Sequence, residues 1–151
     1  MLRPSKKLLF AIEAVLDIAY HAGGEPVQSR EITRRQNIPR RYLEQTLQYL
    51  VRSEILVGVR GPRGGYRLAR ERRRISVGDI VRVVRATEIS EDIFTDVPAS
   101  DLGKHVIRPM WGDLQEEVMR RLDAISVDDL CLRAHKSGLT SEVGRKLDFN
   151  I

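Results

Sequence analysis

Residues 41–69, RYLEQTLQYLVRSEILVGVRGPRGGYRLA, decide the fold of this chain. The first part has the apolar spacing of an amphipathic helix, and the second part reads as two short strands, Ile55–Arg60 and Gly65–Ala69, around a turn. Pro62 presets the backbone for that turn, and the glycines beside it tolerate positive φ. Arginines lie on both arms. The stretch therefore predicts a helix followed by a basic β-hairpin, or wing.

The residues before the hairpin predict three helices. The first is expected over residues 5–21, where apolar side chains recur at the spacing of a buried stripe. Ser29 is a suitable N-cap for a short helix over 30–36, and Pro39 suits the first position of a third helix that runs to about residue 53. Two helices joined by a tight turn at Asn37 and Ile38 have the order of a helix-turn-helix.

The pattern changes after the three arginines at 72–74. Ser76 and Asp79 form a capping-box pair for a helix near 77–86, and a second such pair, Ser126 and Asp129, precedes a last short helix. Residues 87–104 are polar and acidic and read as a loop. The prediction is a mainly α fold with a small β-wing: a winged helix-turn-helix domain over 1–86, a long dimerisation helix and the short helix within 105–135, and a tail over 136–151.

The long helix predicts a dimer, because its apolar stripe needs a surface to cover it. The same helix of a second subunit is the simplest such surface. Pro109 is expected to start or kink this helix, so its first turn is predicted to be irregular. The predicted dimerisation residues are Ile107, Trp111, Leu114, Val118, Leu122 and Ile125.

Charge is divided unevenly between the two halves of the chain. Residues 1–74 carry 16 Lys and Arg against 7 Asp and Glu, whereas residues 75–151 carry 10 against 14, so the halves have net charges of +9 and −4. A basic half that also holds the helix-turn-helix pattern indicates a module that binds a polyanion. The alternative, that arginines merely keep the surface soluble, does not explain why the excess of positive charge is confined to that half.

Length and cysteine content set further bounds. A chain of 151 residues is one ordinary domain, or a compact domain with an added helix. No apolar run approaches the roughly 20 residues that a transmembrane helix needs, so no membrane partner is expected. A single cysteine cannot form an intramolecular disulfide, and a cytoplasmic location is the expectation.

Four motifs in order resemble the Rrf-two family of bacterial winged-helix regulators: YLEQ at 42–45, VRGPRGGYRLA at 59–69, ISVGDIV at 75–81 and W-x-D-L at 111–114. The resemblance covers roughly residues 2–134. It implies a homodimeric DNA-binding transcription factor, usually a repressor, whose partner is a double-stranded operator. It also implies that the recognition helix enters the major groove and that the wing reaches the adjacent minor groove.

The resemblance implies DNA contacts on the helix-turn-helix and the wing, and the chemistry of the residues there supports them. Gln45 is suited to an adenine edge, and Glu44 can accept from a cytosine amino group or repel the wrong base. Arg60 and Arg63 suit a narrow, electronegative minor groove. Phosphates take most of the other contacts. The full predicted set is Ser29, Arg30, Arg40, Arg41, Tyr42, Glu44, Gln45, Arg60, Gly61, Pro62 and Arg63.

Less specific interpretations stand beside these. Tyr42 can read a base, or it can equally be a packed helix residue with its hydroxyl on a phosphate, and Glu44 can be a solvated helix position. RGPRGG lacks the Lys-Ser/Thr and the strand-to-helix context of a nucleotide phosphate loop. An enzyme is not expected, because no nucleophile–base pair or motif-placed carboxylate pair is present. The competing class is an interaction module that acts mainly through another protein.

The chain differs from many members of this family at the positions of their sensor. Many family members hold an iron–sulfur cluster with three cysteines, where this chain has roughly Ile93, Ala99 and His105. No cofactor is therefore predicted; the acidic loop is expected to be solvated, although a hard cation is an alternative. Cys131 is expected to be a small core residue. The alternatives are a redox-reactive thiol, or half of a metal site with His135 that the second subunit or His105 would complete. A regulatory protein partner is a further possibility, by analogy within the family.

Overall fold

The computed structural model describes residues 3–88 and 99–142. Within them there are six α-helices and a two-stranded sheet, and a 3-10 turn, Arg72–Arg74, separates the sheet from the fourth helix. The elements run α1 (Lys6–His21), α2 (Ser29–Gln36), α3 (Arg40–Arg52), β1 (Leu56–Val59), β2 (Gly65–Leu68), α4 (Val77–Thr87), α5 (Arg108–Asp123) and α6 (Val127–Lys136). None of the described helices combines the length and the hydropathy needed to cross a membrane.

The predicted mainly α fold with a small β-wing is confirmed, with small corrections at two helix starts. Ser29 is the first residue of α2 and not its N-cap; Gln28 takes that position, and its backbone N–H donates to the Glu31 carboxylate at 3.3 Å. Pro39 is the N-cap of α3 and not its first residue. Its lack of an N–H costs nothing in either position, because the first amides of a helix have no partner within it.

The core forms around α1. Ala11, Ala14, Val15 and Ile18 of this helix are fully buried, and α2, α3, β2, α4 and α6 all pack against it. The small residues on α1 let neighbouring helices approach closely, while larger side chains from those helices fill the space between them. Val127 and Cys131 belong to the same core cluster. The last helix is therefore packed into the body that carries the helix-turn-helix.

The wing is anchored to the segment between α1 and α2. β1 and β2 are antiparallel, with Leu56 opposite Leu68 and Val59 opposite Gly65. Val27 extends the sheet by one bridge, in which its backbone exchanges two 2.8 Å hydrogen bonds with Tyr66. A Cβ at Gly65 would lie 2.5 Å from the Val27 carbonyl oxygen, and Gly65 has φ of +152°. Only glycine allows this close approach.

The two predicted capping boxes are confirmed and lie side by side. Ser76 and Asp79 satisfy each other's backbone N–H groups at the start of α4, and Ser126 and Asp129 do the same at the start of α6. The backbones also pair, because Val77 N–H donates to Ile125 O and Val127 N–H donates to Ile75 O, both at 2.8 Å. We call this pair of bridged helix starts the clasp.

The predicted loop over 87–104 is wrong at its end, since helical structure begins at residue 101. Residues 101–102 lead into a π-helical turn, Gly103–Ile107, in which Arg108 N–H donates to the Gly103 carbonyl. Pro109 explains the irregularity: it has no N–H for the His105 carbonyl, and its ring crowds that oxygen in a regular α-helix. The predicted irregular first turn is thus confirmed. Residues 89–98 lie outside the described residues.

The predicted tail over 136–151 also needs correction. Helix α6 extends to Lys136, and residues 137–142 fold back onto α1. The Tyr20 hydroxyl donates to the Leu139 carbonyl, and the Glu142 N–H donates to His21 Nδ1 at 3.0 Å. We call residues 137–142 the strap. Residues 143–151 lie outside the described part of the chain.

Candidate nucleic-acid interface

Helix α3 has one buried and one exposed face. Leu43, Leu47 and Leu50 are fully buried, and the Thr46 hydroxyl donates to the Tyr42 carbonyl at 2.8 Å. Because the buried positions fall at helical spacing, the remaining side chains of the first turns point away from the core. The exposed residues of this helix include the predicted ones and also Gln48, which the sequence did not assign: Arg40, Arg41, Tyr42, Glu44, Gln45 and Gln48.

Glu44 has a partner that sequence reasoning did not assign. Its carboxylate accepts a 2.9 Å hydrogen bond from Arg40 Nε, one helical turn earlier, and both side chains are exposed. The i, i+4 spacing was the available signal. An exposed pair of this kind is worth little in stability, so either group can exchange its partner for DNA.

Tyr42 is placed between the two interpretations given above. Its side chain is 57% exposed, yet its ring lies 6.5 Å, centroid to centroid, from Phe10 of α1 at a tilt of 46°. The contact with Phe10 restricts the ring on one side, while the exposure leaves the hydroxyl accessible. The geometry therefore allows a phosphate contact from an oriented ring.

The wing, the start of α2 and the start of α3 together form a concave surface. Its volume is about 630 Å³. It brings together three predicted segments that are distant in sequence, namely the pair Ser29 and Arg30 on α2, Arg40 on α3, and the wing turn. Arg60, Gly61, Pro62 and Arg63 are all exposed. Arginines from two helices and the wing thus surround one concavity, which is the arrangement that a polyanion requires.

Gln28 and Tyr66 also line this surface, and sequence reasoning missed both. Gln28 Nε2 lies 3.4 Å from the Pro62 carbonyl and links the start of α2 to the wing turn. The Gln-x-x-Glu spacing with Glu31 was a readable signal for a helix start. The link to the wing was not readable, because it joins residues 34 positions apart.

A buried ion pair fixes α2 against α1. Asp17 is 2% exposed, and its two carboxylate oxygens each accept a 2.9 Å hydrogen bond from Arg35, with a third at 2.8 Å from Gln36. The Asp17 hydrogen bond raises the pKa of Arg35, since the charged guanidinium is the form it stabilises. This bidentate geometry sets the position of the first helix of the helix-turn-helix.

The predicted dimerisation stripe is exposed along most of its length. Ile107 is 53% exposed, Trp111 42%, Leu114 48% and Val118 45%. Leu122 and Ile125 are half-buried near the end of the helix, where α5 packs against α4. Four neighbouring large apolar side chains at this exposure form a patch of the kind that marks an interaction surface.

Among the sensor candidates that the structure describes, Cys131 and His135 line one cavity. Cys131 is 3% exposed and belongs to the core, which supports the core interpretation; burial raises the pKa of its thiol, which disfavours the reactive thiolate. His135, one turn later, shares a cavity with it, whereas His105 lies exposed in the π-helical turn. In the described ranges, no group of three His, Cys, Asp or Glu side chains is arranged to hold a metal ion.

The fold and the surface define a winged helix-turn-helix protein of the class that binds DNA. Within that class, the family model described as "Rrf2: Iron-dependent Transcriptional regulator" matches residues 4–133. Since this span is most of the chain, the protein belongs to the Rrf2 (Rrf-two) family of transcriptional regulators. The family resemblance stated from the sequence motifs is confirmed.

Individual relatives agree with this assignment. The HTH-type transcriptional regulator IscR of Sodalis glossinidius is 32% identical over 129 residues, which cover 85% of this chain and 78% of that protein. Two solved structures are similar. T. potens IscR has a TM-score of 0.74 and 30% sequence identity, and the match covers 93% of this chain and 94% of that one. CymR, the global cysteine regulator of B. subtilis, has a TM-score of 0.70 and 27% identity, and the match covers 88% of this chain and 98% of that one.

The family description names iron, but the donors available here do not fit a thiolate-ligated cluster. Cysteine thiolates are the usual cluster ligands, and the one cysteine of the chain is the buried Cys131. At the positions where the resemblance places cluster ligands, Ala99 offers no side-chain donor and His105 offers one imidazole. Ile93, which also has no donor, lies outside the described residues.

Proposed function

We propose that this regulator is a homodimeric repressor that binds a pseudo-palindromic operator and works without a standard iron–sulfur cluster. The observation that carries the proposal is the single concavity shared by α2, α3 and the wing, with Arg30, Arg40 and Arg60 around it. A rigid surface with cations on three elements suits a duplex, because phosphates position the protein while side chains in the grooves read the bases.

The groove assignments follow from the exposed faces. The first turns of α3 present Gln45 and Glu44 to solvent, and a helix of this kind fits the major groove. Arg60 and Arg63 flank the wing tip and suit the narrower minor groove beside it. DNA binding alone is then sufficient for repression, since a protein bound over a promoter excludes RNA polymerase. A regulator of transcription acts where the chromosome is, which accords with the expected cytoplasmic location.

The dimer is proposed from the exposed stripe on α5. Two copies of this helix packed along Ile107, Trp111, Leu114 and Val118 would cover the apolar surface that one copy leaves open. A twofold axis between the helices would also repeat the DNA-binding surface, so that each subunit meets one half-site. The pseudo-palindrome is the DNA counterpart of that symmetry.

Selection from a random duplex library by the full-length protein, followed by footprinting, tests the DNA-binding proposal. We expect an enriched sequence with two related half-sites and protection of both. Arg60→Ala should weaken binding to the selected duplex, whereas the matched control Arg133→Ala, on α6 away from the concavity, should not. Failure to enrich any sequence, or equal losses in both variants, would contradict the assigned surface.

Anaerobic purification with an absorption spectrum and with iron and sulfide analysis tests the cofactor proposal. We expect a colourless protein with substoichiometric iron and sulfide, because the donor set lacks the thiolates that a cluster needs. Visible absorbance with stoichiometric iron and sulfide would overturn this part of the proposal and would direct attention to His105.

A further inference from the structure

A second concavity lies away from the DNA-binding surface. It is formed by α1, the turn Arg72–Arg74, α6 and the strap, and its volume is about 410 Å³. It has no lining residue in common with the concavity between α2 and the wing. Its size falls within the range of small-molecule sites, roughly 300–1,000 Å³.

The polar part of the lining favours an anion. Arg72 and His135 line the cavity, and none of its lining residues is an aspartate or a glutamate. Arg72 Nε is held by the Asp128 carboxylate at 2.6 Å, and its guanidinium lies close enough to the Cys131 thiol to interact with it. A guanidinium has five N–H donors, so these two contacts orient the group and leave donors for a ligand.

The apolar part of the lining, beside the Thr140 and Ser141 hydroxyls, favours an organic ligand over an inorganic ion. Leu132 is 50% exposed and Leu139 62% exposed, and the Tyr20 ring and Cys131 line the same cavity. An apolar body in contact with these side chains would remove them from water, which a bare sulfate or phosphate would not do. We propose that the cavity binds a small organic anion, a carboxylate on a compact apolar body, with Arg72 and His135 as its polar contacts.

The walls of the cavity connect it to the helix-turn-helix. The strap forms one wall, and its Glu142 carboxylate lies 3.8 Å from Arg35 of α2, the residue held by the buried Asp17. Arg72 follows the wing strand β2 by four residues. A ligand in the cavity would therefore contact two segments that lead directly into the DNA-binding surface, which is the position expected of an effector site.

Amide NMR of the full-length protein, titrated with sodium benzoate at constant ionic strength, tests the proposal without DNA. We expect saturable shifts for amides of α6 and the strap, with benzamide, the neutral analogue, at least about tenfold weaker because it lacks the charge. The result is independent of the proposed operator. Shifts confined to α3 and the wing, equal binding of benzamide, or no saturable shift would each overturn the inference.

Three variants separate a site from the general attraction of a basic protein. Arg72→Gln and His135→Gln should each weaken benzoate binding, by about tenfold or more for Arg72→Gln. Arg133→Gln removes one charge from the same helix outside the lining and should leave binding unchanged. An equal loss in Arg133→Gln would overturn the site. If Arg72→Gln does not give a folded spectrum, unchanged binding by His135→Gln overturns it.

Discussion

Arg60 stands at the point where β1 passes into the wing turn, exposed and on the rim of the DNA-binding concavity. Its replacement by alanine should cost about 1–3 kcal/mol of operator binding and relax specificity at the step that the wing contacts. The salt dependence of binding should also become shallower, by roughly one phosphate contact. Titrations of the selected duplex at several salt concentrations, with Arg133→Ala as the control, measure both effects.

Asp17 differs from the surface acids because its carboxylate is buried and accepts hydrogen bonds from Arg35 and Gln36. Asp17→Ala would leave the Arg35 guanidinium, 12% exposed, without its bidentate partner, and we expect a loss of about 3–5 kcal/mol in the free energy of unfolding. Glu71→Ala breaks the exposed pair with Arg73 and should cost less than about 1 kcal/mol. Urea denaturation compares the two, and equal losses would refute the structural role given to Asp17.

At the scale of elements, the wing depends on how closely β2 approaches the segment before α2. Gly65→Ala would place a methyl group 2.5 Å from the Val27 carbonyl in a backbone region that side chains rarely adopt. We expect a loss of about 1–3 kcal/mol in stability together with weaker operator binding. Gly58→Ala, on the paired strand, meets nothing within 4 Å and is the matched control for the stability measurement, since Gly58 itself lines the DNA-binding concavity. Denaturation and DNA titration of both variants check the prediction.

The second capping box gives the start of α6 a dependence on pH. The Ser126 backbone N–H and hydroxyl lower the pKa of Asp129, because they stabilise its carboxylate. A lowered pKa in the folded state contributes stability above the ordinary carboxyl range and loses it as pH falls through the folded value. Between about pH 5 and pH 3 the wild type should therefore lose more stability than Asp129→Asn.

Urea midpoints across that pH range provide the measurement. Asp113→Asn, on the exposed surface of α5, removes one carboxylate without disturbing a capping box and should follow the wild-type profile. If Asp129→Asn and the wild type lose stability in parallel, the capping box makes no pH-dependent contribution.

At the scale of the whole molecule, the exposed stripe on α5 ties assembly to DNA binding. Trp111→Asp would put a charge at the centre of the stripe, and we expect it to weaken dimerisation by about 2 kcal/mol or more. Operator affinity should fall with it, because a monomer meets one half-site. Light scattering over a concentration series, beside DNA titration, tests the link. Arg120→Asp, on the opposite side of the helix, should remain dimeric, and a dimeric Trp111→Asp would refute the interface.

Local signals in the sequence predicted most of the fold. The capping boxes, the Gly/Pro turn and the apolar periodicity each act within a few residues, so the helices, the wing and the exposed positions on α3 could be read directly. The strap and the link from Gln28 to Pro62 join residues far apart in sequence, and no local pattern encodes them. The start of helical structure at residue 101 was missed because Asp101 and Gly103 have weak helix propensity and Pro109 follows them closely.

The clasp also bears on how the chain can change in length. Because residues 75–77 pair with residues 125–127, backbone hydrogen bonds hold together the two ends of the chain segment between them. Doubling the length of the segment between the two halves of the clasp would add only about 0.6 kcal/mol to the entropic cost of closing it. Changes in chain length within this segment that leave α4 and α5 intact should therefore cost little stability, because the clasp still fixes the start of α4 against the start of α6.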